Sequence, residues 1–325
     1  MSYSISVVIP NYNGRKLLEV NLPSVYRALK NPGISDFEII IPDDASDDDS
    51  VNFIKTNFPD IILVENKVNR GFAGNSNTGI KRSQKDLVLI LNSDVRLTDG
   101  YFENLLKYFN KQDTFGVTGR ILGLESDRIQ DGAKYPKYYF GNISSTTNYI
   151  CSLRNSLYSF FLTGANALID RKKLIELNGY DEIFNPYYGE DVDLGIRAWR
   201  LGYKCYYEHN AVCRHPNSAT VSKEPSNKIK VISGRNKMYL HFIHFNRFEL
   251  LCYFIKLGLK TILRILTLNV NFLKSLRMFI NSLDMCIKSK QSFNELRKSK
   301  NVNLTLKDIV TIIKDDIHKL SIEKF

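Results

Sequence analysis

Residues 87–95 read LVLILNSDV: five apolar residues in a row, then Asn92, Ser93 and Asp94. A run this short, apolar throughout and closed by turn formers, is the pattern of a strand buried on both faces. Strands of that kind need crossover helices to cover them, and the flanking sequence supplies the matching pattern. Upstream, Gly74–Ser83 reads as a helix, Ile61–Val64 as a strand and Ser50–Asn57 as a helix. Phe37–Ile41 is another buried strand, ending in Pro42-Asp43-Asp44. Residues 16–29 carry apolar side chains near helical spacing, and Ile5–Ile9 is a β-branched run stopped by Pro10. Downstream, Thr98 or Asp99 is placed to cap a helix running to Phe109.

Strand and helix alternate four times in about 110 residues, which predicts an α/β fold with a mostly parallel sheet. Ligands of such sheets sit beyond the carboxyl ends of the strands. Asp43/Asp44 and Asn92/Asp94 fall at those ends. Further on the pattern loosens. Phe160–Ile169 reads as a strand, Arg171–Leu177 as a helix, Asp191–Leu201 as a helix and Tyr203–His215 as strand-rich. The stretch of roughly 120–160 is polar and aromatic and yields no definite elements.

The 325 residues carry a formal net charge of +11, unevenly placed. Residues 221–325 hold 20 Lys and Arg against 8 Asp and Glu, whereas residues 1–220 are near neutral. Residues 248–280 are strongly apolar yet interrupted by charges, too often for a spanning helix. Lys256, Lys260 and Arg264 recur every four residues and line one face, with Phe254, Ile255, Leu259, Ile262 and Leu263 elsewhere on the helix. Such a helix suits an anionic membrane interface. Packing on the rest of the chain, or on a second subunit as a homodimer, is the other reading. Five cysteines without CxxC spacing suggest reduced thiols, and Met1–Ser6 has no signal-peptide pattern. A cytoplasmic protein, peripheral on the inner face of the membrane, is the expectation.

Several segments carry chemistry. In IIIPDDASDDDS (39–50), Asp43 or Asp44 could accept the imide hydrogen of a pyrimidine base, although turn formation alone also explains them. NRGFAGNSNTGI (69–80) has glycines that permit close backbone approach, without the dinucleotide fingerprint or a phosphate loop. Asn92 and Asp94 form a degenerate DxD pair, and Asp94 can give an oxygen to a hard cation such as Mg²⁺ or Mn²⁺. NPYYGEDVDLGIRAWRLGYK (185–204) sets Glu190, Asp191 and Asp193 at a helix start, more acid than capping needs. One of them could remove a proton from a hydroxyl. His215, at a strand end, could complete a metal shell.

In order and spacing these segments, together with SVVIPNYN (6–13), FLTGANALIDRKKLIELNGYDE (161–182) and RHPNSAT (214–220), resemble the family 2 glycosyltransferases, in particular the rhamnosyltransferase-like branch of bacterial polysaccharide assembly. The resemblance covers about residues 5–220. It implies a GT-A fold, with residues 1–110 binding a nucleotide diphosphate sugar and 111–220 an acceptor, and with 221–325 as a basic amphipathic helical extension. It implies substrate contacts from Pro10, Asn11, Asn13, Asp43, Asp44, Asn69, Arg70, Gly71, Asn75, Asn92 and Ser93. Gly164, Ala165 and Asn166 would lie near the donor sugar and acceptor. Asp94 would hold the metal, with His215 as a second ligand. Asp191 would be the catalytic base, with Glu190 beside it. The reaction implied is inverting transfer from a UDP- or dTDP-sugar to a saccharide, lipid-linked, acceptor.

Two departures stand out. Asn92 replaces the first acid of the DxD motif, and Ile196-Arg197-Ala198-Trp199-Arg200 stands where processive synthases carry QxxRW. Single addition is therefore expected. A sugar-nucleotide nucleotidyltransferase would need a glycine-rich loop after the first strand, where this chain has Pro10-Asn11-Tyr12-Asn13-Gly14-Arg15. A non-catalytic basic membrane module would not need Asp44, Asp94 and Asp191. Nucleic acid is not an expected partner, since the basic tail has neither a zinc knuckle nor a stacking platform.

Overall fold

The computed structural model describes residues 2–139, 142–216 and 225–325. Its first half repeats one unit: β1 (Tyr3–Val8), α1 (Arg15–Leu29), β2 (Ile34–Asp43), α2 (Ser50–Asn57), β3 (Ile62–Glu65), α3 (Gly71–Arg82) and β4 (Leu87–Leu91). Then come β5 (Arg96–Leu97), β6 (Thr114–Gly123), β7 (Ile129–Asp131), β8 (Ala133–Tyr139), β9 (Asn142–Cys151), β10 (Ser156–Tyr158) and β11 (Asn166–Asp170). After these run α4 (Arg171–Glu176), α5 (Glu190–Arg200) and β12 (Lys204–His215). Five helices follow: α6 (Ser226–His244), α7 (Arg247–Leu266), α8 (Val270–Asn281), α9 (Leu283–Ser299) and α10 (Leu306–Ile317). The short β13 (Ile322–Lys324) ends the chain.

Among the described residues the main sheet runs β10-β12-β6-β11-β4-β1-β2-β3. Strands β4, β1, β2 and β3 are parallel, as are β6 and β12, while β11 is antiparallel between β4 and β6. Successive side chains point to opposite faces of a strand, and both faces are apolar here. Ile5, Val7, Ile39, Ile41, Leu87 and Leu89 pack with α1 and α2. Val8, Ile40, Val88 and Ile90 join the opposite core, with α3, α4 and α5. That second core continues into the C-terminal helices through Met238, Tyr239, Ile243, Phe279, Phe293 and Ile309. The expected boundary at residues 220/221 lies outside the described residues.

Two element expectations are corrected. The strand expected over Phe160–Ile169 is only Asn166–Asp170. Phe160, Phe161 and Leu162 are apolar because they pack under α5, where a Cβ on Gly195 would lie 2.4 Å from Phe161 Cβ. The helix expected from Thr98 or Asp99 to Phe109 is a run of tight turns ending in a 3₁₀ turn at Leu106–Asn110. Gly100, at φ +73°, cannot start an α-helix, and the bonds from Tyr101 N to Thr98 O and Leu105 N to Phe102 O span three residues. The stretch of roughly 120–160 holds β6–β10, with β8, β9 and β13 forming a small antiparallel sheet.

Candidate functional site

A cleft of about 1120 Å³ opens at the carboxyl ends of β1, β2 and β4. Pro10 and Asn11 continue the ladder past β1: Asn11 N donates to Pro42 O, and Asp44 N to Asn11 O, both at 2.9 Å. This puts Asp44 on the cleft and Asp43 beneath it. Asp43 is saturated, accepting from Asn11 Nδ2 (2.8 Å), Ser46 N (2.9 Å) and Ser46 Oγ (2.7 Å). Asp44 accepts from Arg70 N (2.8 Å) and Asn66 Nδ2 (3.1 Å). Burial raises the Asp44 pKa above the ordinary carboxylate value, against those hydrogen bonds. Asn13 pins the same loop, its Oδ1 accepting from Asp47 N at 2.9 Å.

Asn69, Gly71 and Asn75 also line the cleft. Asn69 Oδ1 accepts from Gly71 N at 3.0 Å, and Asn75 Nδ2 donates to Asn11 O at 3.1 Å. Arg70 contributes its backbone only: its guanidinium turns to both oxygens of Glu182 at 3.1 Å. Gly71 has φ +68°, and a Cβ there would meet Asn185 Oδ1 at 2.8 Å and Pro186 Cα at 3.1 Å. Only glycine lets α3 start this close to the 185–189 loop. That contact joins the α3 wall of the cleft to the opposite wall.

Asn92, Ser93 and Asp94 lie on the cleft, beside Gly164 and Ala165, with Asn92 N donating to Ala165 O at 3.1 Å. Asn166 does not reach it. Its amide is buried between Thr118 Oγ1 (2.5 Å), Gly119 O (3.2 Å) and Cys213 Sγ (3.1 Å), where it ties β11 to β6 and β12. His215 ends β12 with Nε2 3.3 Å from Asp94 Oδ1. The pair is close but not aligned as a hydrogen bond, and among the described residues this buried Asp94 oxygen has no hydrogen-bond partner. Gln130 Oε1 lies 3.4 Å from the other ring nitrogen, Nδ1.

A buried carboxylate oxygen without a proton donor, next to an imidazole nitrogen, fits a divalent cation. Among the described residues no group of three or more His, Cys, Asp or Glu could hold a metal. A cation held here would need the rest of its ligands from outside these two side chains.

The far wall is the start of α5. Gly189, at φ +102°, turns the chain so that Glu190 and Asp191 open the helix on the cleft. Asp191 Oδ1 accepts from Val192 N at 2.8 Å. Burial pushes its pKa from 3.8 up to about 6, with Lys134 pulling the other way. Glu190, buried and with Oε2 lacking a partner among the described residues, is also raised, by burial and then by the Asp191 charge. Asp193 is different. Burial alone would raise it, but Arg197 and His244 bring it below the ordinary value. Arg197 Nε lies 2.7 Å from its Oδ2 and His244 Nε2 2.8 Å from its Oδ1.

Sequence reading missed Tyr12, Arg15, Phe72, Tyr187, Tyr188 and Lys228 on the cleft wall. It also missed Asn236, whose Nδ2 donates to the carbonyls of Phe184 (2.7 Å), Tyr187 (3.0 Å) and Tyr188 (2.6 Å). The two tyrosines sit in the segment already singled out for its acids. Lys228 and Asn236 come from α6, and no local pattern marks them.

The chain belongs to glycosyl transferase family 2, whose model matches residues 6–177. It is 23% identical over 211 residues to the GalNAc(5)-diNAcBac-PP-undecaprenol beta-1,3-glucosyltransferase of Campylobacter jejuni, covering 64% of this chain and 62% of that protein. It is 26% identical over 225 residues to the O-antigen chain rhamnosyltransferase RfbN of Salmonella typhimurium, covering 68% of each. A crystal structure of GalNAc-T7 with UDP, GalNAc and Mn²⁺ matches with a TM-score of 0.69 and 15% identity, over 97% of this chain and 57% of that one. The chain thus spans less than two thirds of the Campylobacter enzyme and of GalNAc-T7. At that identity the structural likeness carries the fold, which is GT-A.

Proposed function

We propose that the protein is an inverting, metal-dependent glycosyltransferase. It moves one sugar from a UDP- or dTDP-sugar to a hydroxyl of a saccharide acceptor, lipid-linked, in cell-surface polysaccharide assembly. The observation that carries this reading is one cleft lined both by Asp94, with its partnerless oxygen beside His215, and by Asp191, with its raised pKa.

In this reading Asp44 and the Asn11–Asn13 segment hold the base and ribose. Asp94 and His215 would hold Mg²⁺ or Mn²⁺, which supplies Lewis-acid stabilisation to a departing diphosphate. Asp191 accepts the proton of the acceptor hydroxyl as its oxygen bonds to the anomeric carbon and the bond to the diphosphate breaks. Inversion follows from attack opposite the leaving group. General-base help of this kind is worth about 10²–10⁴ in rate. Glu190 lies beside it, its pKa raised by burial and by the Asp191 charge. Residues 1–110 serve the donor, 111–220 the acceptor, and 221–325 bring the enzyme to an anionic membrane surface.

The test is thermal stabilisation by UDP, dTDP and their sugars, with and without Mn²⁺. A ligand held by the native state alone raises the melting point by mass action. A Mn²⁺-dependent rise, lost in Asp94→Ala, is the expected result. No rise with any nucleotide would refute the donor assignment.

A further inference from the structure

Helix α7 buries little of itself. Its inward side holds Cys252, Tyr253 and Leu257, while Leu251, Ile255, Leu259, Ile262 and Leu266 are 53–80% exposed or close to it, at 58, 57, 65, 59 and 77% respectively. At 3.6 residues per turn these five fall within an arc of about 80°. They make one apolar stripe along the outside of the molecule. Exposed apolar residues are ordinary singly, but a continuous stripe marks a contact surface. The turn into α8 extends it, with Leu268 80% and Val270 57% exposed.

Two features choose the occupant. Lys256 flanks the stripe, about 60° past its edge, and Lys260 lies about 100° past it on the side toward α8, which carries the exposed Lys274 and Arg277. Lys260 lies over the Phe272 ring, and its pKa is lowered by burial and by Lys237 and Arg264, so cations are crowded here. A second copy docked on this stripe would bring two such groups of cations together in a region already strongly positive. An anionic surface would instead neutralise them. The second feature is position. Asn271, just past the apolar turn, donates to Asn227 Oδ1 at 3.0 Å, and the next residue, Lys228, lines the cleft. The apolar tip therefore adjoins the cleft mouth.

We infer that the outer face of α7, with the α7–α8 turn, docks on an anionic phospholipid bilayer and sets the cleft mouth at its surface. No helix among the described residues is long and apolar enough to cross a membrane; an amphipathic helix such as α7 binds by lying in the interface. The inference rests on the glycosyltransferase reading only for its consequence, which is that the acceptor carries a lipid.

The experiment is flotation of the full chain with vesicles of phosphatidylglycerol and phosphatidylcholine at low salt, against phosphatidylcholine alone. Nucleotide binding by thermal shift and sedimentation velocity are measured alongside. The wild type is expected to float with the anionic vesicles only. Ile262→Gln with Leu266→Gln, and separately Lys256→Gln with Lys260→Gln, are each expected to weaken binding by about tenfold or more. Both variants should keep the melting point and the nucleotide response. Absence of flotation, or equal flotation on neutral vesicles, overturns the inference. So does a dimer in sedimentation that the Ile262/Leu266 variant abolishes, which assigns the stripe to a second copy. Nucleotide binding that survives any of these results leaves sugar transfer standing and removes only the membrane role of residues 221–325, so the two fail separately.

Discussion

Replacing Asp191 by Asn should make the protein more stable while it loses activity. In the fold, burial holds this carboxyl near 6 rather than 3.8. That difference corresponds to about 3 kcal/mol. Below pH 3.8 the acid is neutral in both folded and unfolded chains, and no penalty exists. Between 3.8 and 6 the unfolded chain ionises first, so stability falls as pH rises. Above 6 the full penalty is present. Asn keeps the bond from Val192 N through its own Oδ1 and carries no charge. The variant should therefore gain about 3 kcal/mol at pH 7.5, but only about 1 kcal/mol at pH 4.5. With an unfolding entropy of about 0.7 kcal/mol/K for a chain of this length, the gain at pH 7.5 is about 4 °C in melting point. Calorimetry at the two pH values measures it. Turnover should fall about 10²–10⁴-fold, and wild-type kcat/KM should decline on the acid side of about pH 6. A melting point that rises equally at both pH values would show that charge is not the cause. Near-normal turnover would remove Asp191 as the base.

Three other outcomes follow from the geometry. His215→Ala should weaken the Mn²⁺ dependence of nucleotide binding while leaving metal-free binding unchanged, as titration calorimetry would detect. An unchanged metal response would leave Asp94 as the sole protein ligand. Arg197→Met strands the buried Asp193 carboxylate with only His244 and should cost about 3–5 kcal/mol in urea unfolding. A loss under 1 kcal/mol would mean that water reaches this carboxylate. Asn236→Ala leaves three carbonyls of the 184–188 loop without their donor, at about 1–3 kcal/mol for a buried group. It should raise the acceptor KM more than it changes the nucleotide-induced melting shift. Equal effects on both would mean that the loop acts only on overall stability.

The first half was legible because its chemistry is local. A strand covered on both sides must be apolar throughout, so LVLIL at 87–91 and the runs at 5–9 and 37–41 announce themselves, and the polar residues that end them fall on the cleft. Phe160–Leu162 misled for the same reason in reverse: burial beneath α5 demands apolar residues but not a strand. Strands β7–β10 escaped because edges and hairpins do not keep one face consistently apolar, as in AKYPKYY at 133–139, and the buried β6 escaped because Gly116, Gly119 and Gly123 break up its apolar run. At the site, Asp44 and Asp43 could not be told apart by sequence. Which one faces the cleft depends on the Asn11 bridge across two strands. Lys228 and Asn236 were invisible because they enter the site from a helix far along the chain.

Within one turn and a half of α5 three acids are driven in opposite directions. Glu190 and Asp191 face the cleft, and burial there raises their pKa values. Asp193, two residues on, points about 200° round the helix from Asp191. There Arg197 also donates to Leu177 O at 2.6 Å and Gly179 O at 2.8 Å, so the ion pair fastens α5 to the segment after α4. Were all three paired, the helix would be more stable and the cleft would lack a proton acceptor. Were none paired, nothing ionic would hold the helix start against the repulsion it carries. In the proposed mechanism the arrangement separates anchoring from proton transfer along a single helix, which is how environments assign different tasks to like side chains. Asn236 completes it from the opposite direction: by holding the loop that leads into Gly189, α6 fixes where Glu190 and Asp191 begin. Helix α6 therefore shapes this wall of the cleft directly, through one asparagine.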